Sequence, residues 1–120
     1  MKKCIIIPDS FKGTLTSMEI CKTIKDKVSE HFPSCKTISL PIADGGEGMA
    51  DCFLYALNAQ KVTLQVKNAY NELIEVYYAK KEHRAFIEVA QVVGLPQVEG
   101  RKNPLITTTY GVGEMIKHAV

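Results

Sequence analysis

The stretch KCIIIP, residues 3–8, decides the fold class because it opens the chain with the pattern of a short apolar strand. Its β-branched isoleucines and terminal proline are typical of a strand that is buried on both faces, as in a parallel sheet. A second β-type run, TISLPI, follows at residues 37–42. The segment between the two runs has a helical pattern. Residues 3–42 therefore predict one β-α-β unit, whose crossover should be right-handed.

The helical segment has both a start signal and an apolar face. Thr16 and Glu19 have the spacing of a capping box, in which each side chain accepts a hydrogen bond from the backbone of the other residue. Ile20, Ile24 and Val28 then recur at helical spacing, which places them on one side of a helix. The sequence therefore predicts an amphipathic helix that ends before the next proline.

Two further helices are predicted after residue 48. Met49, Phe53 and Leu57 recur at helical spacing directly after a glycine-rich stretch. Residues 94–104 are rich in glycine, proline and asparagine and are predicted to be a loop. Residues 107–120 lead through two glycines into the last predicted helix.

Between these helices the sequence has the alternation of β-strands. Residues 62–66 and 74–78 alternate apolar with polar side chains, and residues 85–93 form a third β-type run. Three strands with no helix between them predict an antiparallel meander. The change from β-α-β to a meander indicates a domain boundary near residue 60.

Composition excludes several classes of protein. The chain has 120 residues, 46% of them hydrophobic, so it can bury a core of its own. A formal net charge of only +2 is too small for the basic surface that nucleic acids or anionic membranes require. No apolar run is long enough to span a membrane, and the cysteines lack the spacing of metal ligands. We expect a cytoplasmic protein with reduced cysteines and with neither nucleic acid nor membrane as a partner.

The glycine-rich stretch is ADGGEG, residues 43–48, and it admits two interpretations. In the first, Asp44 is a helix N-cap and Glu47 completes a capping pair, both favoured by the helix dipole. That interpretation does not explain the glycines, because each glycine inside a helix costs about 1 kcal/mol relative to alanine. In the second, the backbone must approach a ligand closely, which is a frequent reason for glycine at a strand-to-helix turn.

Position favours a functional role, because ligands collect at the carboxyl ends of parallel strands, where PDSFKG (residues 8–13) and ADGGEG should both lie. Asp44 and Glu47 would repel a bare phosphate, so they suit a bridging Mg²⁺ or substrate hydroxyls. Lys12 supplies the opposite charge for a carboxylate or phosphate, although a solvated turn lysine explains it equally well. No P-loop or dinucleotide fingerprint is present.

A third glycine-containing loop precedes the last helix. Thr107, Thr108 and Thr109 stand before Gly111 and Gly113, and their hydroxyls and free amides could hold an anion. Taken alone, this pattern favours simple helix capping by threonine.

The three loops together resemble one family. PDSFKG, ADGGEG and NPLITTTYGVGE (residues 103–114), in this order and with IEVAQVVGLP (residues 87–96) before the last, resemble the amino-terminal part of the type-1 glycerate kinases. The resemblance covers essentially the whole chain. It implies transfer of the γ-phosphoryl group of ATP to D-glycerate with Mg²⁺, in a cleft between two α/β domains. Family members are much longer, so we expect this stretch to be an amino-terminal portion that is inactive alone.

The resemblance also implies a domain plan. Residues 1–60 would begin a Rossmann-like domain with a parallel β-α-β unit, and residues 61–120 would begin a second, inserted α/β domain that contains the antiparallel meander. The remainder of the protein would complete the sheet of the first domain. Without that remainder, the unfinished sheet edge would favour a homo-oligomer or another partner.

Site roles follow from the resemblance and the loop chemistry as hypotheses. The predicted catalytic residues are Asp44 and Lys12. Substrate binding is predicted for Asp9, Ser10, Lys12, Gly45, Gly46 and Glu47. Nucleotide phosphates are predicted at Thr107, Thr108, Thr109, Gly111 and Gly113. Mg²⁺ ligation is predicted for Asp44 and Glu47.

Two other classes stay open at this point. The chain could be a non-catalytic anion-binding or interaction domain that keeps the glycine-rich loops and binds glycerate or nucleotide without turnover. The β-α-β opening also permits a flavodoxin-like redox domain, for which bound flavin would be the test.

Overall fold

A computed structural model describes residues 2–120 and divides the chain into two compact units. The first unit ends at Asp44, and the second is Gly45–Val120. The sequence indicated a change of character near residue 60, whereas helix α2 (Met49–Leu57) packs with the strands that follow it. The division of the whole protein into domains stays a prediction.

The first unit is a β-α-β unit. Strand β1 (Lys3–Ile6) pairs in parallel with β2 (Lys36–Ser39), and Ile5 stands opposite Ile38 in the register. Helix α1 (Ser17–His31) connects the two strands. The predicted order of elements and the parallel pairing are confirmed.

Helix α1 begins at the predicted capping box. The Thr16 hydroxyl accepts a hydrogen bond from the Glu19 amide at 3.2 Å, and the Glu19 carboxylate accepts one from the Thr16 amide at 2.8 Å. The bond from the Thr16 amide is the main reason that the pKa of Glu19 lies below its usual value. Ile20 and Cys21 on this helix are buried, as is Ile6 on β1.

Strand β1 departs from one prediction. The sequence predicted burial on both faces, yet Ile5 is 60% exposed and Ile7 is 54% exposed. The physical reason is that few elements of the first unit cover this sheet. Among the described residues this sheet has two strands, and helix α1 is the element of the unit that packs with them. The apolar side chains are those of a central strand, but the first unit alone does not cover them.

The second unit contains the predicted antiparallel meander. Strand β3 (Gln60–Lys67) pairs with β4 (Leu73–Lys81), which pairs with β5 (Arg84–Phe86). The turn between β3 and β4 contains Asn71, with a left-handed φ of 62° that asparagine tolerates well. The overall class is α/β, as predicted.

The core of the second unit lies between the meander and the last helix. Helix α5 (Tyr110–Ala119) packs on β3, and the buried side chains there interlock strand and helix residues. The members of this cluster are Val66, Val76, Tyr78, Val92 and Met115.

The third β-type run was predicted to be longer than it is. The strand prediction for residues 85–93 is correct only at its start, because β5 ends at Phe86 and helix α3 (Ala90–Val93) follows. A second short helix, α4 (Leu95–Val98), lies within the predicted loop. Glu88 interrupts the strand because its side chain is buried in contact with backbone amides of α2. Across residues 2–120, no helix is long and apolar enough to cross a bilayer.

Candidate functional site

The loop after β1 forms a tight exposed turn that carries Lys12. The Phe11 amide donates to the Leu15 carbonyl at 2.9 Å, and the Thr14 amide donates to the Phe11 carbonyl at 2.9 Å. Gly13 completes the turn with φ +75°, a conformation that a residue with a side chain adopts only with strain. Lys12 therefore lies at an exposed position on this turn, in the loop that follows β1.

Asp9 and Ser10 precede this turn and are linked to each other. The Ser10 amide donates to the Asp9 carboxylate at 2.7 Å, which orients the Asp9 side chain at the start of the loop. The Asp9 carboxylate is exposed. It can accept hydrogen bonds from substrate hydroxyls or contribute oxygen to a cation.

The segments after β1 and β2 leave the same edge of the sheet. Because the two strands are parallel neighbours, their carboxyl ends coincide, and the Ile42 amide donates to the Pro8 carbonyl at 3.3 Å beyond them. The first unit thus carries Asp9, Lys12 and the exposed Asp44 on segments that leave one edge, as the sequence predicted.

The glycines of ADGGEG are explained by backbone conformation. Gly45 has φ +98° and Gly48 has φ +86°, both in the left-handed region that side-chain-bearing residues rarely adopt. A Cβ atom added at either position would meet no atom within 4 Å. The left-handed conformation alone therefore requires glycine at these two positions, because it allows the turn itself.

The capping interpretation of Asp44 and Glu47 is wrong. Helix α2 begins at Met49, and its N-cap is Gly48, which has no side chain to cap with. The cap comes from a distant residue. Glu88 is 3% exposed and accepts hydrogen bonds from the Gly48 amide at 3.2 Å and the Ala50 amide at 3.0 Å. Glu88 therefore accepts the hydrogen bonds at the start of α2, and Asp44 and Glu47 are exposed residues of the preceding loop.

The three threonines lie beside a cavity in the second unit. The cavity has a volume of about 560 Å³ and is open to solvent. The Thr108 amide donates to the Ala69 carbonyl at 2.9 Å, and the Thr108 hydroxyl accepts from the Tyr110 amide at 3.1 Å. Thr109 is the N-cap of α5 but makes no capping bond with its side chain. The lining residues are Ala69, Val93, Val98, Thr107, Thr108 and Thr109.

The two glycines of α5 differ in their surroundings. Gly111 is buried, and a Cβ atom there would lie 1.7 Å from the Lys67 carbonyl oxygen of β3. Gly113 is exposed, with nothing within 4 Å of such an atom. Close packing of helix on strand therefore explains Gly111, whereas Gly113 has no packing role.

Comparison with known proteins identifies the family. The sequence model of the family described as "Glycerate kinase family" matches residues 4–120. The chain belongs to the glycerate kinase family. This confirms the resemblance of its three loops.

Individual relatives agree with this family. A glycerate kinase from Bacillus cereus (strain ATCC 10987 / NRS 248) is 38% identical over 98% of this chain and 32% of its own length. A glycerate 2-kinase from Escherichia coli (strain K12) is 34% identical over 98% of this chain and 32% of its own. A crystal structure of a Salmonella typhimurium LT2 protein, assigned as glycerate kinase 2, matches 98% of this chain with TM-score 0.78 and 35% identity.

The chain matches these relatives over nearly its whole length but covers only part of theirs. The chain spans 32% of the length of each of the curated relatives and of the Salmonella protein. These 120 residues therefore correspond to about a third of the length of those proteins.

The loops offer oxygen ligands for a cation, but not a complete cage. Within residues 2–120, no three His, Cys, Asp or Glu side chains are grouped closely enough to hold a metal ion. Mg²⁺ usually takes one or two carboxylates and completes its shell with water and substrate phosphates. A single exposed carboxylate, such as that of Glu47, fits that donor set.

Sequence reasoning missed the residues that support the start of α2. Glu88 lies 40 residues from Gly48 and 38 from Ala50, and no local pattern links positions so far apart. The Tyr77 hydroxyl on β4 donates to the Asp51 carboxylate at 2.8 Å. Burial, with a further contribution from this bond, raises the pKa of Tyr77 above the usual tyrosine value. The signal that could have found Glu88 is an acid inside the apolar run FIEVA.

Proposed function

We propose that this chain is part of a kinase that transfers the γ-phosphoryl group of ATP to a hydroxyl of D-glycerate. The observation that carries the proposal is the family match over residues 4–120, together with relatives named glycerate kinase. The same relatives favour a kinase over a non-catalytic anion-binding or interaction domain. Because the chain spans 32% of those relatives, turnover is proposed for the longer protein. A cytoplasmic location and homo-oligomerisation belong to the same proposal.

The turn after β1 is proposed to hold the substrate. Lys12 is exposed on a turn fixed by Gly13, so its ammonium can neutralise a carboxylate or a phosphoryl oxygen. Asp9, oriented by the Ser10 amide, offers acceptors for the hydroxyls of glycerate, and the Ser10 hydroxyl offers a donor. Phosphoryl transfer depends on positioning and charge neutralisation, and these groups supply both.

The ADGGEG loop is proposed to serve the cation. Asp44 and Glu47 supply carboxylate oxygens, and Gly45 and Gly46 supply a backbone free of side chains between them. When bound, Mg²⁺ would neutralise charge on the phosphates. Asp44 is the proposed catalytic residue of the loop and the position most sensitive to substitution, with Lys12 as the next most sensitive.

The threonine loop is proposed to bind nucleotide phosphate. Thr107, Thr108 and Thr109 line the cavity of about 560 Å³ and present hydroxyls next to the start of α5, where the helix dipole favours an anion. Gly113 leaves this region of the helix unobstructed, and Gly111 lets the helix lie close to β3.

Binding can be tested on the chain itself. An amide NMR titration of the ¹⁵N-labelled chain with D-glycerate should shift residues 9–13 and 44–48, and Mg-ATP should shift residues 44–48 and 107–113. ATP with chelator in place of Mg²⁺ is the matched ligand control, and it should lose the shifts at residues 44–48. A folded chain that shows no shifts with either ligand would contradict the assignment of these loops to the site.

Turnover can be tested in a full-length enzyme that carries this stretch. Asp44→Asn should lower kcat by orders of magnitude, because a neutral amide is a much weaker ligand for the cation that neutralises the phosphate charge. Asp26→Asn on the exposed face of α1 is the matched control and should leave kcat unchanged. Near-normal turnover of Asp44→Asn would refute the role of Asp44.

A further inference from the structure

Glu88 is buried, and both of its carboxylate oxygens accept hydrogen bonds from backbone amides. Its side chain is 3% exposed; Oε1 accepts from the Gly48 amide at 3.2 Å, and Oε2 accepts from the Ala50 amide at 3.0 Å. A buried charge is tolerated only when hydrogen bonds replace its hydration. The two amides provide that replacement within the second unit.

These amides belong to the start of helix α2, where backbone donors have no partner inside the helix. The N-cap residue Gly48 cannot supply a side-chain acceptor. The positive end of the helix dipole adds a favourable interaction with the carboxylate. Glu88 therefore replaces the missing N-cap side chain, and in doing so it fixes the last residue of the ADGGEG loop.

Glu88 is itself held by the packing around it. It precedes α3, where the Gln91 amide donates to the Glu88 carbonyl at 3.3 Å, and the Gln91 side chain accepts from the Tyr77 amide of β4 at 3.0 Å. The rings of Phe53 on α2 and Phe86 on β5 stack with centroids 3.9 Å apart. The carboxylate is thus joined to a rigid part of the meander.

The same geometry has a consequence for ligands. A helix N-terminus next to a glycine-rich loop is usually open to phosphate. Here the Gly48 and Ala50 amides are occupied by Glu88, and the Met49 amide donates to the Gly46 carbonyl at 3.2 Å. Three amides at the start of α2 are therefore already bonded within the chain, which leaves fewer donors for an external anion, while the Glu47 carboxylate of the loop stays exposed.

We propose that Glu88 is a positioning residue of the ADGGEG loop: its carboxylate occupies the amides at the start of α2, fixes Gly48, and restricts the loop to a cation or a hydroxyl ligand. The proposal deepens, and rests on, the proposed role of this loop in the kinase site. Its core, the occupation of two amides by a carboxylate, can be tested without any substrate.

The experiment compares the ¹⁵N-labelled wild-type chain with Glu88→Ala, with Glu88→Gln and with a matched control, Glu114→Gln. Glu114 also accepts a backbone hydrogen bond, from the Lys67 amide at 2.8 Å, but it lies on α5. Glu88→Ala should shift the amide signals of Gly45, Gly48 and Ala50 and speed hydrogen exchange at Gly48 and Ala50 by roughly tenfold or more. Glu114→Gln should change the Lys67 amide and leave these signals in place.

Rescue by acetate separates positioning from general stability. Acetate added to Glu88→Ala should return the Gly48 and Ala50 signals toward their wild-type positions, because it supplies the missing carboxylate. Inorganic phosphate should also shift them in Glu88→Ala but not in wild type. Glu88→Gln, which keeps the side-chain volume and one acceptor oxygen, covers the case in which alanine unfolds the chain. It should fold and accelerate exchange at one of the two amides.

The outcomes distinguish this proposal from the proposed function. If wild type binds neither D-glycerate nor Mg-ATP, the proposed function fails, while the acetate rescue still supports Glu88 as the residue that fixes the loop. If wild type binds both and Glu88→Gln weakens the Mg-ATP affinity by roughly tenfold, both proposals stand. Unchanged loop signals in a folded Glu88→Ala chain, or a wild-type chain whose Gly48 amide responds to phosphate, would overturn the proposal.

Discussion

Substitutions at Gly111 and Gly113 of helix α5 test whether close packing of this helix on β3 stabilises the fold. In Gly111→Ala, the new Cβ would lie 1.7 Å from the Lys67 carbonyl oxygen, so helix and strand must move apart. We expect a loss of about 1–3 kcal/mol or more in the free energy of unfolding, measured by urea titration. Gly113→Ala is the matched control; with open space around it, it should gain about 0.5–1 kcal/mol from helix propensity. Equal effects of the two substitutions would contradict this explanation.

The pair Glu72–Arg101 gives a pH-dependent contribution to stability. The guanidinium donates to both carboxylate oxygens, at 2.7 and 3.0 Å, and this bonding, followed by that of Asn68, lowers the pKa of Glu72 to about 2. The unfolded carboxyl takes up its proton near the ordinary value of 4.5, before the folded one does. The contribution is therefore present above pH 4.5 and is lost as pH falls toward 2.

This acid dependence can be measured as the free energy of unfolding against pH. Glu72→Gln should flatten the curve between pH 4.5 and 2, and Glu75→Gln, on the exposed side of β4, should not. Added salt should reduce the difference, because the pair is exposed. Identical curves for wild type and Glu72→Gln would refute the assignment.

At the scale of the elements, helix α1 depends on its capping box. Thr16→Ala removes the acceptor for the Glu19 amide, so we expect unfolding to become easier by about 1 kcal/mol. Thr16→Ser keeps the hydroxyl and should stay near wild type. Thermal unfolding followed by circular dichroism measures both, and a Thr16→Ala chain as stable as Thr16→Ser would show that packing alone holds the helix start.

The elements that could be predicted are those whose signals are local. Thr16 and Glu19 bond within one helical turn, so sequence spacing alone located the start of α1. Residues 85–93 were predicted as a strand from their apolar β-branched residues. Such residues occur in short buried helices as well, so this pattern does not distinguish the two structures. The buried hydrogen bonds of Glu88 favour the short helix over a longer strand. Its partners Gly48 and Ala50 lie far away in sequence, so no local pattern reveals these bonds.

The candidate site was predictable to the same extent. The left-handed turns at Gly45 and Gly48 follow from glycine chemistry, and the common edge for Asp9 and Asp44 follows from the parallel order of β1 and β2. The sequence does not show which carboxylate accepts hydrogen bonds from the amides at the start of α2. An exposed acid nearby in sequence and a buried acid far away can both bond to these amides. Of the two interpretations of ADGGEG, capping by Asp44 as the N-cap is therefore excluded, since the N-cap is Gly48.

At the scale of the whole molecule, the two units differ in how much apolar surface they cover. In the second unit, Val66 and Val92 are at most 1% exposed within a cluster that joins strand and helix. In the first unit, the β1–β2 pair and the segments that follow it leave large apolar side chains exposed. These are Ile5, Ile7, Ile38, Leu40 and Ile42. The first unit therefore gains less from burial per residue than the second.

This difference predicts unequal protection of the two sheets from hydrogen exchange. Strands β1 and β2 are each four residues long, whereas β3 is eight and β4 is nine, and the longer pair lies over the main core. Local opening requires less free energy where few apolar contacts are broken. We expect the amides of β3 and β4 to exchange at least roughly tenfold more slowly than those of β1 and β2, after correction for intrinsic rates.

The control for this comparison is a substitution in the core of the second unit. Val76→Ala removes two methyl groups from a side chain that is 3% exposed, so protection in β3 and β4 should fall by a factor that reflects about 1–3 kcal/mol. Equal protection of both sheets in wild type would mean that the exposed isoleucines are covered in solution. In that case self-association, measured by sedimentation, should accompany the protection of β1 and should weaken on dilution.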